Sequence, residues 1–243
     1  MARITAVINR KGGVGKSTLT VNVAAVAAEV LGEAPPGEPD YVVAVSSDPQ
    51  GSATWWSERV GDDLPFSFIQ TKSRKDLTYF PDLKKTRKVK HAFIDTPGWM
   101  DLPEDELGRA GDPFGDSAAA DAMRAVLANA DDLIIPVEPE PLGFIPTQTT
   151  IEEVVKPLGL PYWVVINNWD PRDGIADLED TRAFIEGSGW NLANTVIRHY
   201  KVHARAAVEG TVVTRYKKNR VAMEAREDFY KLALEIGAGA KRR

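Results

Sequence analysis

The chain has 243 residues, 43% of them hydrophobic and 27% charged, with a formal net charge of −5 and no cysteine. That length and apolar content support one sizeable α/β core. Without cysteine there are no disulfides, thiolate metal sites, iron–sulfur clusters or cysteine nucleophiles, and no apolar run approaches the roughly 18 residues of a membrane span.

The N-terminus runs straight into a strand pattern over 4–8 with no apolar leader before it, so a cytoplasmic location is expected. A loop rich in Gly and Lys follows, and then a helix is predicted over 17–31. Residues 32–40 (GEAPPGEPD) read as a loop. Next come a strand over 41–46, a helix over 52–60 and a strand over 89–94. The acidic segment 99–116, with scattered Gly and Pro, reads as a surface insertion, or as a lid or partner-contact element near the preceding loops. Beyond it the sequence predicts a helix over 117–129, a strand over 133–137, a helix over 147–155, a strand over 162–166, a helix over 178–186, a short strand over 195–197 and a helix over 222–236. Most of these strands lack polar alternation, as strands covered on both faces do. Strands alternating with helices imply right-handed βαβ units and a mostly parallel, twisted sheet flanked by helices on both faces. The chain therefore reads as one α/β domain over 1–243.

The sharpest feature lies between the first strand and the first helix, where Arg10-Lys11-Gly12-Gly13-Val14-Gly15-Lys16-Ser17-Thr18 forms a phosphate-binding loop. The glycines let the backbone turn and aim N–H groups inward at phosphate oxygens. The helix that follows adds its positive N-terminal end. Lys16 can reach β- and γ-phosphates, Ser17 can ligate Mg²⁺, and Thr18 is placed to meet the α-phosphate. The general pattern begins with glycine, whereas this chain has Arg10 there.

The run KGGVGKST resembles the deviant Walker A motif of the ParA/MinD superfamily. The resemblance spans roughly 3–236 and implies a single-domain P-loop NTPase of the SIMIBI class. In that family the early lysine, here Lys11, reaches across a nucleotide-sandwich dimer to the partner's ATP, a cation supplied in trans to the transferring phosphoryl group. Val45-Ser46-Ser47-Asp48-Pro49-Gln50-Gly51 resembles the family's switch I. Asp48 matches its second aspartate, implied to orient the attacking water and to belong with Ser17 and Asp95 around the metal. Ser46 stands where the first aspartate would be. Phe93-Ile94-Asp95-Thr96-Pro97-Gly98 resembles Walker B and switch II: Asp95 would hold Mg²⁺ through water, and the Gly98 N–H would sense the γ-phosphate. Asn167, with Asn168 beside it, falls where the family reads adenine; a polar strand-end cap is the other reading. Leu133 to Val137 with Glu138-Pro139 matches the next family strand and reads as scaffold.

Between 198 and 220 lie seven basic residues (Arg198, Lys201, Arg205, Arg215, Lys217, Lys218, Arg220) against one acidic residue, Glu209. A solvated charged face and a DNA-contact surface both fit such a stretch, and Arg198, which directly ends a strand, has a structural reading as well; the resemblance implies the DNA surface. It further implies an ATP-dependent homodimer, binding to non-specific DNA over the nucleoid, slow ATP hydrolysis, a ParB-like adaptor, and partition of a plasmid, chromosome or other cargo. The P-loop starts at residue 10, so no N-terminal helix-turn-helix domain is expected. Two other readings of the scaffold are a MinD-like positioning ATPase on the membrane and a metabolic P-loop ATPase. The acidic residues of the last helix argue against the membrane.

Overall fold

The computed structural model describes residues 1–99 and 113–239. Seven strands form one parallel sheet in the order β3-β2-β4-β1-β5-β6-β7. These are β1 Arg3–Val7, β2 Val42–Ser46, β3 Ser67–Gln70, β4 His91–Asp95, β5 Asp132–Val137, β6 Tyr162–Trp169 and β7 Ile197–Arg198. Both faces are covered, as the unbroken apolar runs require: Val42 and Ala44 point to one core layer, and Val43 and Val45 to the other.

The first layer contains α1 (Lys16–Leu31), α2 (Ser52–Val60), α8 (Lys201–Val208) and α9 (Arg220–Glu235). The second contains α3 (Tyr79–Lys85), α4 (Ala118–Asn129), α5 (Pro141–Thr149) with its π-helical continuation Thr150–Val155 and the short α6 (Lys156–Leu158), and α7 (Ala176–Gly187). Helix α1 is alanine-rich and buried nearly all round because it lies between the sheet and α9. Helix α9 turns Phe229, Leu232 and Ala233 into the same layer.

Strand β1 is central, with β4 on one side and β5 on the other. Chain direction across the sheet reverses there, so loops after β1, β4 and β5 diverge and leave a crevice at their carboxyl ends. The phosphate-binding loop, Asp95 and Glu138 all lie at this switch point.

Five elements depart from the sequence expectation. Edge strand β3 is short and only half-buried, so its apolar signal is weak. Helix α3 carries Pro81 in its first turn, where the missing N–H costs nothing. Helix α5 begins six residues before its expected start at 147: Pro141 sits at its first turn, and Pro146 is tolerated inside it. Helix α8 follows β7 directly and was not expected within the basic stretch. Strand β6 runs on past its expected end at 166 through Asn167 and Asn168 to Trp169. Of the expected insertion over 99–116, residues 100–112 lie outside the described residues. At its two ends Trp99 and Phe114 meet edge to face, with ring centroids 5.2 Å apart.

Candidate functional site

Gly15, at φ 86°, turns the chain into α1, whose N-terminus has no side-chain cap among the described residues. Its first N–H groups are therefore left facing the loop, which is what a bound anion uses. The side-chain ammonium of buried Lys16 curls back under the loop and donates to the Asn9 carbonyl at 3.1 Å and the Lys11 carbonyl at 3.0 Å. Burial lowers its pKa, opposed by the charges of Asp95 and Asp48. Ser17 Oγ donates to Asp95 Oδ2 at 2.8 Å. Asp95 is fully buried, and burial raises its pKa to about 7, against the hydrogen bond from Ser17.

The buried oxygens Asp95 Oδ1 and Ser46 Oγ have no hydrogen-bond partner among the described residues. Ser46 and Asp95 are register neighbours in the β2–β4 pair. Such unpartnered hard oxygens beside Ser17 fit a hydrated magnesium ion, which prefers few protein ligands and completes its shell with water and phosphate. No cluster of three or more His, Cys, Asp or Glu that could hold a metal unaided occurs among the described residues. Asp48 begins the turn after β2, and its Oδ1 accepts from the Gln50 N–H at 2.9 Å. Gly98 lies against the loop backbone: a Cβ there would come within 2.8 Å of the Arg10 carbonyl oxygen. The Trp99 N–H donates to that same oxygen at 3.2 Å.

A cavity of about 830 Å³ opens beside the loop between α2 and α8, lined by Gly13, Thr18, Trp55, Asn167, His199 and Tyr200 among others. Asn167 is at once part of this wall and a brace for the loop, since its Nδ2 donates to the Val14 carbonyl at 2.7 Å. Gly15 is required beneath it, because a Cβ there would lie 2.2 Å from Asn167 Nδ2.

Glu138 is part of the site and not mere scaffold. It accepts from Lys11 Nζ at 2.9 Å, and Glu140 accepts from the same ammonium. Burial alone would lower the Lys11 pKa, but these two carboxylates outweigh it and leave the pKa raised. Thus Lys11 is held on its own subunit by two residues that the sequence reading did not single out. The available signal was the position of Glu138, an acid at the carboxyl end of the strand next to β1. Asn9, Thr147 and Thr150 were missed as well. Asn9 Nδ2 donates to Pro136 O and Thr147 Oγ1, its Oδ1 accepts from the Lys11 N–H, and Thr150 Oγ1 accepts from the Arg10 N–H.

The basic stretch is divided by the fold. Lys201 and Arg205 line the cavity beside the phosphate loop. Arg215, Lys217 and Lys218 surround a separate hollow together with Arg226, which the sequence reading did not include. Arg220 is exposed and pairs with Glu224 at 3.1 Å. Arg198 takes the structural role that its place at a strand end allowed. Its guanidinium is bound by Asp228 at 2.7 Å and by the Glu224 carbonyl at 3.0 Å, and it ties β7 to α9.

A model of the CobQ/CobB/MinD/ParA nucleotide binding domain family matches residues 5–236. The chain belongs to this family. A ParA/MinD-family relative, the "Maintenance of carboxysome distribution protein A" of Gloeobacter kilaueensis, is 32% identical over 234 residues, 96% of this chain and 94% of that protein. Among solved structures of the fold, the MinD cell division protein of Aquifex aeolicus superposes with a TM-score of 0.68 at 15% identity, covering 97% of each chain. A McdA variant from Cyanothece in complex with ATP gives 0.65 at 13% identity, covering 100% of this chain and 99% of that one. A putative plasmid partition protein from Borrelia burgdorferi bound to AMPPNP gives 0.65 at 16% identity, covering 97% and 100%.

Proposed function

We propose that this protein is a ParA-type positioning ATPase in the cytoplasm. It binds Mg-ATP, dimerises around the nucleotide, holds non-specific DNA of the nucleoid in that state, and lets go after slow hydrolysis. The observation that carries this reading is the pairing of a complete phosphate cradle with a second lysine, Lys11, outside it and at the surface rather than beneath the loop. A lysine side chain on that outer side is placed to serve a partner's phosphate once it leaves Glu138 and Glu140.

Lys16 and the N–H groups of the loop bind the β- and γ-phosphates, Thr18 meets the α-phosphate, and the cavity beside Asn167 takes the base. Ser17 and Asp95 hold the magnesium ion, which when bound neutralises phosphate charge. Asp48 orients the attacking water, and Gly98 registers the γ-phosphate. Lys201, Arg205, Arg215, Lys217 and Lys218 contact DNA phosphates, and doubling them in a dimer makes the affinity depend on ATP. The carboxysome-distribution relative supports positioning of a cargo, with a plasmid or a chromosome as the other cargoes of this class and a ParB-like adaptor as the partner that couples the cargo to the ATPase.

The test is co-sedimentation with random-sequence DNA, with ATP, ADP or no nucleotide, at two salt concentrations. ATP-specific, salt-sensitive binding is expected. Equal binding in all three nucleotide states would overturn the reading, and ATP-dependent binding to anionic liposomes in place of DNA would replace it with membrane positioning.

A further inference from the structure

Lys11 is connected to the base end of the cavity through side chains. Its ammonium is held by Glu140 and by Glu138 Oε2. Glu138 Oε1, the other oxygen of that carboxylate, accepts from Asn168 Nδ2 at 3.0 Å. Asn168 Oδ1 in turn pairs with His199 Nδ1, and His199 lines the cavity together with Asn167 and Tyr200. Four consecutive side chains thus join the surface lysine to the pocket wall.

The backbone at the middle of this chain is unusual. Asn168, at φ 66°, is the one non-glycine residue with positive φ among the described residues. It sits where the β6–β7 register shifts between Asn167 and Trp169. An ordinary strand residue would alternate with its neighbours and point Asn168 away from Asn167. The bulge re-aims it so that one amide serves Glu138 and His199 together. Left-handed backbone costs free energy for any residue but glycine and persists where the surroundings require it.

We infer that Glu138, Glu140 and Asn168 form a latch that withholds Lys11 from a second subunit. Asn168 is a positioning residue for Glu138, and His199 fixes Asn168 from the pocket side. To reach a phosphate on a partner, Lys11 must leave both carboxylates. Only a highly charged anion such as a triphosphate competes with them, so subunits without ATP are kept apart. Glu138 and Glu140 are left as two neighbouring carboxylates without a cation when Lys11 departs, which makes the latched state the resting one. The inference rests on the proposed trans role of Lys11.

Two variants of the full chain test it, Glu138→Gln and Asn168→Gly. Glycine adopts the positive φ freely, so the second removes the amide without straining the fold. The first readout is the rate at which acetyl N-hydroxysuccinimide modifies Lys11 in nucleotide-free protein, scored by mass spectrometry against exposed Lys72. Both variants should react roughly 3- to 10-fold faster at Lys11 than the unaltered chain, the range expected from losing a partly exposed ion pair. The second readout is the ATP-dependent dimer constant from sedimentation velocity, which should tighten by a similar factor. Unchanged Lys11 reactivity in both variants would overturn the latch. Faster reaction with an unchanged dimer constant would overturn its control of association. If the unaltered chain stays monomeric with ATP, or Lys11→Ala still dimerises, the trans role of Lys11 fails instead, and the acylation rates still decide whether the latch exists.

Discussion

Ser17 Oγ and Asp95 Oδ2 lie 2.8 Å apart, joining the first turn of α1 to the end of β4, while the second oxygen of that carboxylate stays buried without a partner among the described residues. A carboxylate so placed is an electrostatic cost to the empty protein and a ligand for a cation. Its pKa, raised by burial to about 7, expresses that cost.

Stability of the nucleotide-free protein should therefore depend on pH through Asp95. In the unfolded chain an aspartate ionises near its model value of 3.8. Between that pH and about 7 the folded state keeps a proton that the unfolded state has lost, so this contribution to stability falls as pH rises and levels off above 7. Asp95→Asn removes the dependence. Thermal unfolding without nucleotide should show a higher midpoint for Asp95→Asn than for the unaltered chain at pH 8, and little difference at pH 4.5. A midpoint gap equal at both pH values would refute this account. With Mg-ATP present the order at pH 8 should reverse, since the variant loses the charge that the metal needs.

Gly15 and Asn167 are fitted to each other. A Cβ at Gly15 would stand 2.2 Å from Asn167 Nδ2, at a backbone φ of 86° that side chains rarely adopt. Gly15→Ala should lower ATP affinity by at least about 100-fold, because either the loop or its brace must move and misplaced donors lose most of their effect. Asn167→Ala removes the brace but leaves Gly15 free, and should cost a smaller factor, about 10-fold. Isothermal titration with ATP orders the three proteins, and equal affinities would contradict the brace.

The sheet and its two layers were legible because buried parallel strands are continuous apolar runs, and Ile4 to Val7, Val42 to Val45 and Leu133 to Val137 are such runs. The phosphate loop was legible because its chemistry is local: cradle, Lys16 and Ser17 are neighbours in sequence. What escaped was set by contacts across the fold. Glu138 and Glu140 lie 127 and 129 residues from Lys11, and only the β1–β5 pairing brings them together. The basic residues looked like one patch because they lie close together in the sequence, yet β7 and α8 send Arg198 inward to Asp228 and separate Lys201 from Lys217. Helix α5 was hidden by its prolines, which punctuate a sequence even when they sit at a helix start.

That division yields opposite expectations for two basic residues. The Arg198 side chain is 23% exposed and its partner Asp228 5%, so removing either leaves a largely buried charge unpaired. Arg198→Ala should destabilise the fold by about 2–4 kcal/mol, which lowers the unfolding midpoint by roughly 5–15 °C for a chain of this size. Its effect on DNA affinity, measured well below that midpoint, should be slight. A large loss of DNA affinity with unchanged stability would restore the DNA role that the ion pair argues against.

Lys217 and Lys218 should behave the other way. Both are exposed beside the hollow shared with Arg215 and Arg226, and neither is needed for the core. Replacing both with Ala should leave the unfolding midpoint within about 2 °C and the ATP affinity unchanged. If each contacts one phosphate, the slope of log affinity for DNA against log salt should become shallower by about 2 per subunit, since each contact contributes about 0.9. The change should appear only with ATP, when two subunits present the surface together. Fluorescence anisotropy with a labelled duplex over a salt series measures the slope, and an unaltered slope would place the DNA surface elsewhere, with Lys201 and Arg205 beside the nucleotide cavity as the remaining basic pair.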